Sequence, residues 1–153
     1  MAMRQYSADQ VEISWQGLDF NEGLATGTFQ QEAQNTPKYS TKVGKSRNSQ
    51  YRTRSTDRSG TNTLLVDMES QLHQDLVALS NTDDDPGTAT IVGKMTVKDL
   101  STGEIMEYEN SFIQTDADQS KSTEPGTASW VFAYGLRTKK PVDSSQNTNL
   151  VGT

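Results

Sequence analysis

The chain has 153 residues, no cysteine, and a formal net charge of −6 from 14 basic and 20 acidic side chains. That length predicts one domain over residues 1–153, and the lack of thiols excludes disulfides, thiolate metal sites and Cys–His catalysis. Hydrophobic residues make up 31 %, and even with the 11 Gly counted the total stays below the roughly 45–50 % of ordinary globular domains, which predicts a thin core completed against other copies of the chain.

The opening MAMRQYSADQ lacks the apolar run of a signal peptide. No stretch approaches the ~20 apolar residues of a membrane span. The expectation is a soluble chain that does not itself bind membranes. Val11, Ile13 and Trp15 then alternate with Glu12, Ser14 and Gln16, the period of a strand with one buried face. Residues 24–33 read as a second strand with weaker alternation. Residues 36–60 read as a long polar loop, and in 61–69 Leu64, Val66 and Met68 share a face opposite Leu65, Asp67 and Glu69.

One segment changes period. Leu72, Leu76 and Leu79 recur at helical spacing beside Val77, with Ser70 as N-cap and Pro86 beyond the end. The single histidine, His73, is expected on the surface of this helix. Strands resume on either side of the turn 100–103, where Gly103 suits a positive φ. Met106, Tyr108, Asn110 and Phe112 are expected on one face, with Glu107 and Glu109 on the other. In the last strand Trp130, Phe132, Tyr134 and Leu136 oppose the smaller Ser129, Val131, Ala133 and Gly135, a face that another surface approaches closely. Residues 141–153 are polar and expected to be flexible. The order predicts a mainly β fold: an antiparallel β-sandwich or barrel with one flanking α-helix and a long extended loop.

Catalytic chemistry finds no constellation. There is no phosphate loop, no HExxH and no nucleophile elbow. Asp83, Asp84 and Asp85 stand consecutively before Pro86, whereas a calcium loop needs oxygens at alternate positions and a distal carboxylate. A solvated loop is the simpler expectation. No catalytic, cofactor-binding or metal-binding residue is assigned.

The charge is unevenly placed. Between residues 36 and 60 stand Lys38, Lys42, Lys45, Arg47, Arg52, Arg54 and Arg58 against Asp57 alone, a segment of +6 in a body of −12. Nucleic-acid binding would use these cations with Tyr39 and Tyr51 as stacking groups, but the acidic body opposes a polyanion. Docking of the basic segment on another copy uses both charges. Lys42, Lys45, Arg47, Tyr51, Arg52, Arg54 and Arg58 are therefore the candidate inter-subunit residues.

The stretches YSADQVEISWQG, LATGTFQQEA, DRSGTNTLLVDMESQLHQDLVALSN and WVFAYGLR, within residues 6–140, resemble the tail-tube proteins of contractile-tailed bacteriophages, in the superfamily that includes type VI secretion tubes. The resemblance implies a β-sandwich with a flanking helix, hexameric rings stacked into a hollow tube, and a long loop reaching the neighbouring ring. It implies a structural, non-enzymatic subunit of a virion tail, assembled in the host cytoplasm and needing no cofactor. Its partners would be further copies of itself, a contractile sheath protein, baseplate and tail-terminator proteins, with genomic DNA only in transit. Carboxylates lining such a lumen repel phosphates and leave DNA free to slide. Glu32, Asp67, Glu69, Glu107 and Glu109 are the candidates, each on an expected wet strand face. A secretion-system tube subunit of the same fold, a baseplate component and a β-sandwich carbohydrate-binding module are the alternatives. Sugar stacking would use Trp15 and Trp130, but both lie on the apolar faces of their strands, which favours core packing.

Overall fold

Alternating apolar positions become strands that bury one face. In the computed structural model, residues 5–46, 48–85, 87 and 91–140 are described. After a 3-10 turn at Ala8–Gln10 come β1 (Val11–Trp15), β2 (Leu18–Asp19), β3 (Gln30–Gln34), β4 (Tyr39–Val43), β5 (Gln50–Arg54) and β6 (Gly60–Asp67). Helix α1 (Gln71–Asp83) follows, then β7 (Gly93–Asp99), β8 (Glu104–Thr115), β9 (Thr127–Tyr134) and β10 (Leu136–Lys140). The predicted mainly β, antiparallel fold with a single helix is observed. The long hairpin turn is also where expected, with Gly103 at φ 80°.

The strands pair in the order β2-β1-β7-β8-β9-β6-β3, and β10 adds to β8. All these pairings are antiparallel. Strand β8 is the junction. Its first half pairs with β10 at residues 105–109, and its second half pairs with β9 at Phe112, Ile113 and Thr115. Two layers therefore share one long strand. Between them lie Ile13, Trp15, Met95, Val97 and Tyr108 from one side and Leu64, Val66, Trp130, Phe132 and Tyr134 from the other. Trp15 meets Phe132 edge-on at 5.1 Å, and its indole N–H donates to the Ser111 carbonyl at 3.1 Å. Burial of each such side chain contributes about 1.5–3 kcal/mol. The two tryptophans are core residues and present no face to a sugar.

Several sequence expectations need correction. The strand expected over 24–33 shrinks to Gln30–Gln34. Residues before it run beside β6 with one isolated bridge, Leu24 to Val66, and the chain bends at Gly27. The polar loop 36–60 contains a second sheet, the hairpin β4–β5. In β8 the alternation breaks: Asn110 sits at φ 56°, and between the Gly93–Ser111 and Met95–Tyr108 pairs β8 holds one more residue than β7. This bulge puts Ser111 in the core and leaves Phe112 exposed. The last strand is two strands. Its large face holds through Tyr134, then the chain bends at Gly135 and β10 starts at Leu136, which is exposed.

The helix begins where predicted. The Ser70 hydroxyl oxygen accepts from the His73 amide at 3.2 Å, satisfying one of the free N–H groups of the first turn. Leu72 and Leu76 are buried, and Val77 and Leu79 pack half-buried against the core. The expectation for His73 was wrong: it is only 4 % exposed, and its Nδ1 accepts from the Trp130 indole N–H at 3.2 Å. A buried indole N–H without an acceptor is costly, and the helix supplies that acceptor from the flank of its leucine stripe. Residues 141–153, expected to be a flexible tail, and Pro86 lie outside the described residues.

Replacing His73 with Ala removes both the acceptor and the ring that packs on Trp130. We expect a loss of about 2–4 kcal/mol in unfolding free energy, read from urea denaturation. His73→Gln, which keeps an acceptor, is expected to recover part of that loss.

Candidate functional site

The basic segment is built as a projecting hairpin. Tyr39 pairs with Arg54, Thr41 with Arg52 and Val43 with Gln50. Every residue of β5 is exposed, and in β4 only Tyr39 is half-buried. Such a ribbon gains little from burial. It is held by its ladder and by Arg52, whose guanidinium lies 4.4 Å from the Tyr39 ring centre, a contact worth about 0.5–1 kcal/mol at exposed sites. Lys42, Tyr51, Arg52 and Arg54 stand on the two strands, Lys45 in the exposed turn, and Arg58 past the end of β5 near its base. Arg47 lies outside the described residues. Val43 and Tyr51 are 69 % and 62 % exposed near the tip.

The base is rigid. Asp57 accepts from the Thr36 hydroxyl at 2.6 Å, the Ser59 amide at 3.0 Å and the Ser59 hydroxyl at 2.5 Å. These hydrogen bonds favour the carboxylate and hold its pKa down at about 2. Asn35 reaches the same turn, its amide donating to the Ser59 hydroxyl at 3.0 Å. The single acid of the basic segment is therefore spent on anchoring the hairpin. Beside it Lys38, Arg58 and Arg137 line a polar cleft of about 220 Å³.

Where β3 and β10 approach, side chains do the joining. Glu32 of β3 accepts from the Tyr108 hydroxyl at 3.1 Å, the Tyr134 hydroxyl at 3.1 Å and Arg137 at 2.9 Å. One carboxylate ties β3 to β8, β9 and β10. Gly60 makes room: a Cβ there would lie 2.3 Å from the Tyr134 hydroxyl and 2.4 Å from the Ala33 carbonyl oxygen. Burial, then the Glu32 charge, raises both phenols, Tyr134 to about 12 and Tyr108 higher.

The five carboxylates nominated for a lumen are not equivalent. Glu32 is held in the network just described. Glu107 is clasped by Lys94 at 3.3 Å and Lys140 at 2.9 Å, hydrogen bonds that lower its pKa. Glu69 is exposed and accepts from the Gly126 amide at 3.2 Å. Asp67 and Glu109 are half-exposed and have no ion-pair partner among the described residues. Nothing in the sequence flagged Tyr108, Tyr134 and Arg137 as partners of Glu32, because they lie 76, 102 and 105 positions away.

Of the consecutive aspartates, Asp83 accepts from the Ile91 amide and Asp85 from the Gly87 amide. No cluster of three or more metal-ligating side chains is found among the described residues. No helix among them is long and apolar enough to cross a membrane.

No family model matches the chain. No curated protein matches it in sequence. Solved structures do share its fold. The anti-feeding prophage cap, a tube-terminating cap, aligns at 7 % identity and TM-score 0.58 over 92 % of this chain and 94 % of its own. A sheath/tube terminator of an extracellular contractile injection system aligns at 8 % identity and TM-score 0.59 over 92 % and 99 %. A chain of that system's sheath–tube complex aligns at 11 % identity and TM-score 0.55 over 90 % and 93 %. The fold of this chain is thus similar to that of those chains.

Glu32→Ala leaves two phenol hydroxyls and a guanidinium without their acceptor. The expected cost is about 2–3 kcal/mol in unfolding free energy. The folded protein holds both phenol protons above the ordinary value of 10.0. Their contribution to stability is therefore complete below pH 10 and is lost as the pH rises toward about 12. Denaturation at stepped pH should show this decline, and Tyr108→Phe combined with Tyr134→Phe should flatten it.

Proposed function

We propose that this chain is a structural subunit of the tube in a contractile injection assembly, in which hexameric rings stack into a hollow conduit. The observation that carries this reading is the fold. It aligns over nine-tenths or more of this chain with three chains from structures of contractile systems, described as tube and sheath terminators and a sheath–tube complex. The projecting hairpin supports it. A hairpin with nine of ten strand residues exposed, and with cations that have no ion-pair partner among the described residues, suits docking on an acidic neighbour. Individual exposed ion pairs contribute only ~0–1 kcal/mol, but six hairpins per ring act together once one is seated.

In a phage the tube would serve as the genome's path within a contractile sheath, in a virion tail assembled in the host cytoplasm, and the chain would not be an enzyme. Sheath, baseplate and tail-terminator proteins would be its other partners. Asp67, Glu69 and Glu109 are the better carriers of a repulsive lumen charge. Lysines and Arg137 already offset Glu107 and Glu32. A secretion-system tube subunit would use the same fold and the same assembly.

A second reading is a terminating cap, favoured because two of the similar chains carry that description. Negative-stain microscopy separates the two. A tube subunit polymerises into filaments with a six-fold end view as concentration rises, whereas a cap stops at single rings. A monomer that persists across concentration and salt overturns both. Hydrogen exchange adds a local readout: amides of residues 40–59 should slow on assembly, and equal rates in monomer and polymer would leave the hairpin a solvated ribbon.

A further inference from the structure

The hairpin tip is an apolar knob with a basic collar. Val43 and Tyr51 stand beside the turn, Lys42 lies opposite Tyr51, and Lys45 occupies the turn itself. Elsewhere in the same molecule is an open apolar hollow of about 360 Å³ between the layers. Its walls are Val11, Phe29, Val97 and Met106, with Asp99 and Glu104 among its lining. An adjoining hollow of about 420 Å³ shares Val11 and Phe29 and adds Asp9. Lys139 offsets one of these three acids, being 2.7 Å from Glu104. The volume falls at the lower end of the ~300–1,000 Å³ typical of concave binding sites.

We propose that the knob of one copy seats in this hollow of the next. The inference rests on the assembly reading above and names the surface that receives the hairpin. Three features of the two sites support it. Both present apolar surface that the subunit leaves uncovered. Their charges are opposite, basic around the knob and acidic around the hollow. They also lie at opposite ends of the same strand: the hairpin leaves β3 after Gln34, while Phe29 and Gln30 line the hollow at its beginning. A knob and a hole at opposite ends make a head-to-tail contact, which propagates from copy to copy instead of closing on a two-fold axis. Val43 and Tyr51 point to opposite sides of the hairpin, so in this docking each would meet a different wall of the hollow.

The absence of native cysteine permits a direct test. Gln50→Cys lies opposite Val43 at the tip, and Thr28→Cys lies in the lining of the hollow; both residues are exposed. Under mild oxidation the double variant is expected to give a ladder of disulfide-linked oligomers on a non-reducing gel. Each single variant is expected to give at most dimers. A control pairing Gln50→Cys with Ser129→Cys, on the outer face of β9, should give no ladder. Val43→Asp with Tyr51→Asp should keep the melting temperature of the wild type and raise the concentration needed for polymerisation at least tenfold. If the wild type polymerises but the Gln50/Thr28 variant gives no ladder, or no more than the control, this docking is overturned while the tube reading stands. If the wild type forms neither rings nor filaments, both fall together.

Discussion

At Asn110 the backbone of β8 turns through a positive φ, and the strand changes partners. Before the bulge it pairs with β10, after it with β9. The two layers are thus continuous through one strand of twelve residues. The bulge also sets which side chains face inward: Tyr108 before it and Ser111 after it are buried, so an ordinary alternation would have placed Phe112 wrongly. Ser111 in turn offers the carbonyl that accepts the Trp15 indole. The central aromatic packing of Trp15 on Phe132 is therefore positioned by the same irregularity.

Closure on the other side is of a different kind. Strands β3 and β10 exchange no backbone ladder, and one carboxylate with two phenols and a guanidinium joins them. Hydrogen bonds to a charged acceptor are stronger than neutral ones, about 1.5–3 kcal/mol each, and their directionality fixes the approach of the layers. Among the described residues the outer backbone edge of β3 has no strand partner. An open edge is a hazard for a monomer and a ready joint for a subunit that adds neighbours. The open hollow is a second surface that the described chain leaves uncovered, and in the proposed assembly a further copy would cover it.

Charge follows the same division. Within the body, lysines and Arg137 are paired with Glu32, Glu104 and Glu107. Among the described residues of the hairpin no such pair forms, and its one acid is consumed by the turn at its base. Cations without an ion-pair partner on a projecting element lower their energy by meeting an acidic surface, and in the proposed assembly the body of another copy would supply one. Such docking would weaken with salt, since the screening length is about 8 Å at physiological ionic strength.

The sequence by itself determined the faces of β1, β6 and β9, the helix and its Ser70 cap, the long turn at Gly103 and the uneven charge. Each of these is written in near neighbours: a period of two, a period near 3.6, a hydroxyl three residues before an amide, a local excess of lysine and arginine. The tertiary structure alone decided the rest. His73 lies beside the leucine stripe and reads as a surface residue until Trp130, 57 positions later, brings an indole N–H that needs an acceptor. Glu32 reads as a wet-face acid until Tyr108, Tyr134 and Arg137 converge on it. The hollow is visible only when Val11, Phe29, Val97 and Met106 come together from four segments. Side-chain periodicity records which face of a segment is apolar. It holds no record of the distant polar group that will make burial of a histidine or a glutamate favourable, because that partner is chosen by strand order and register.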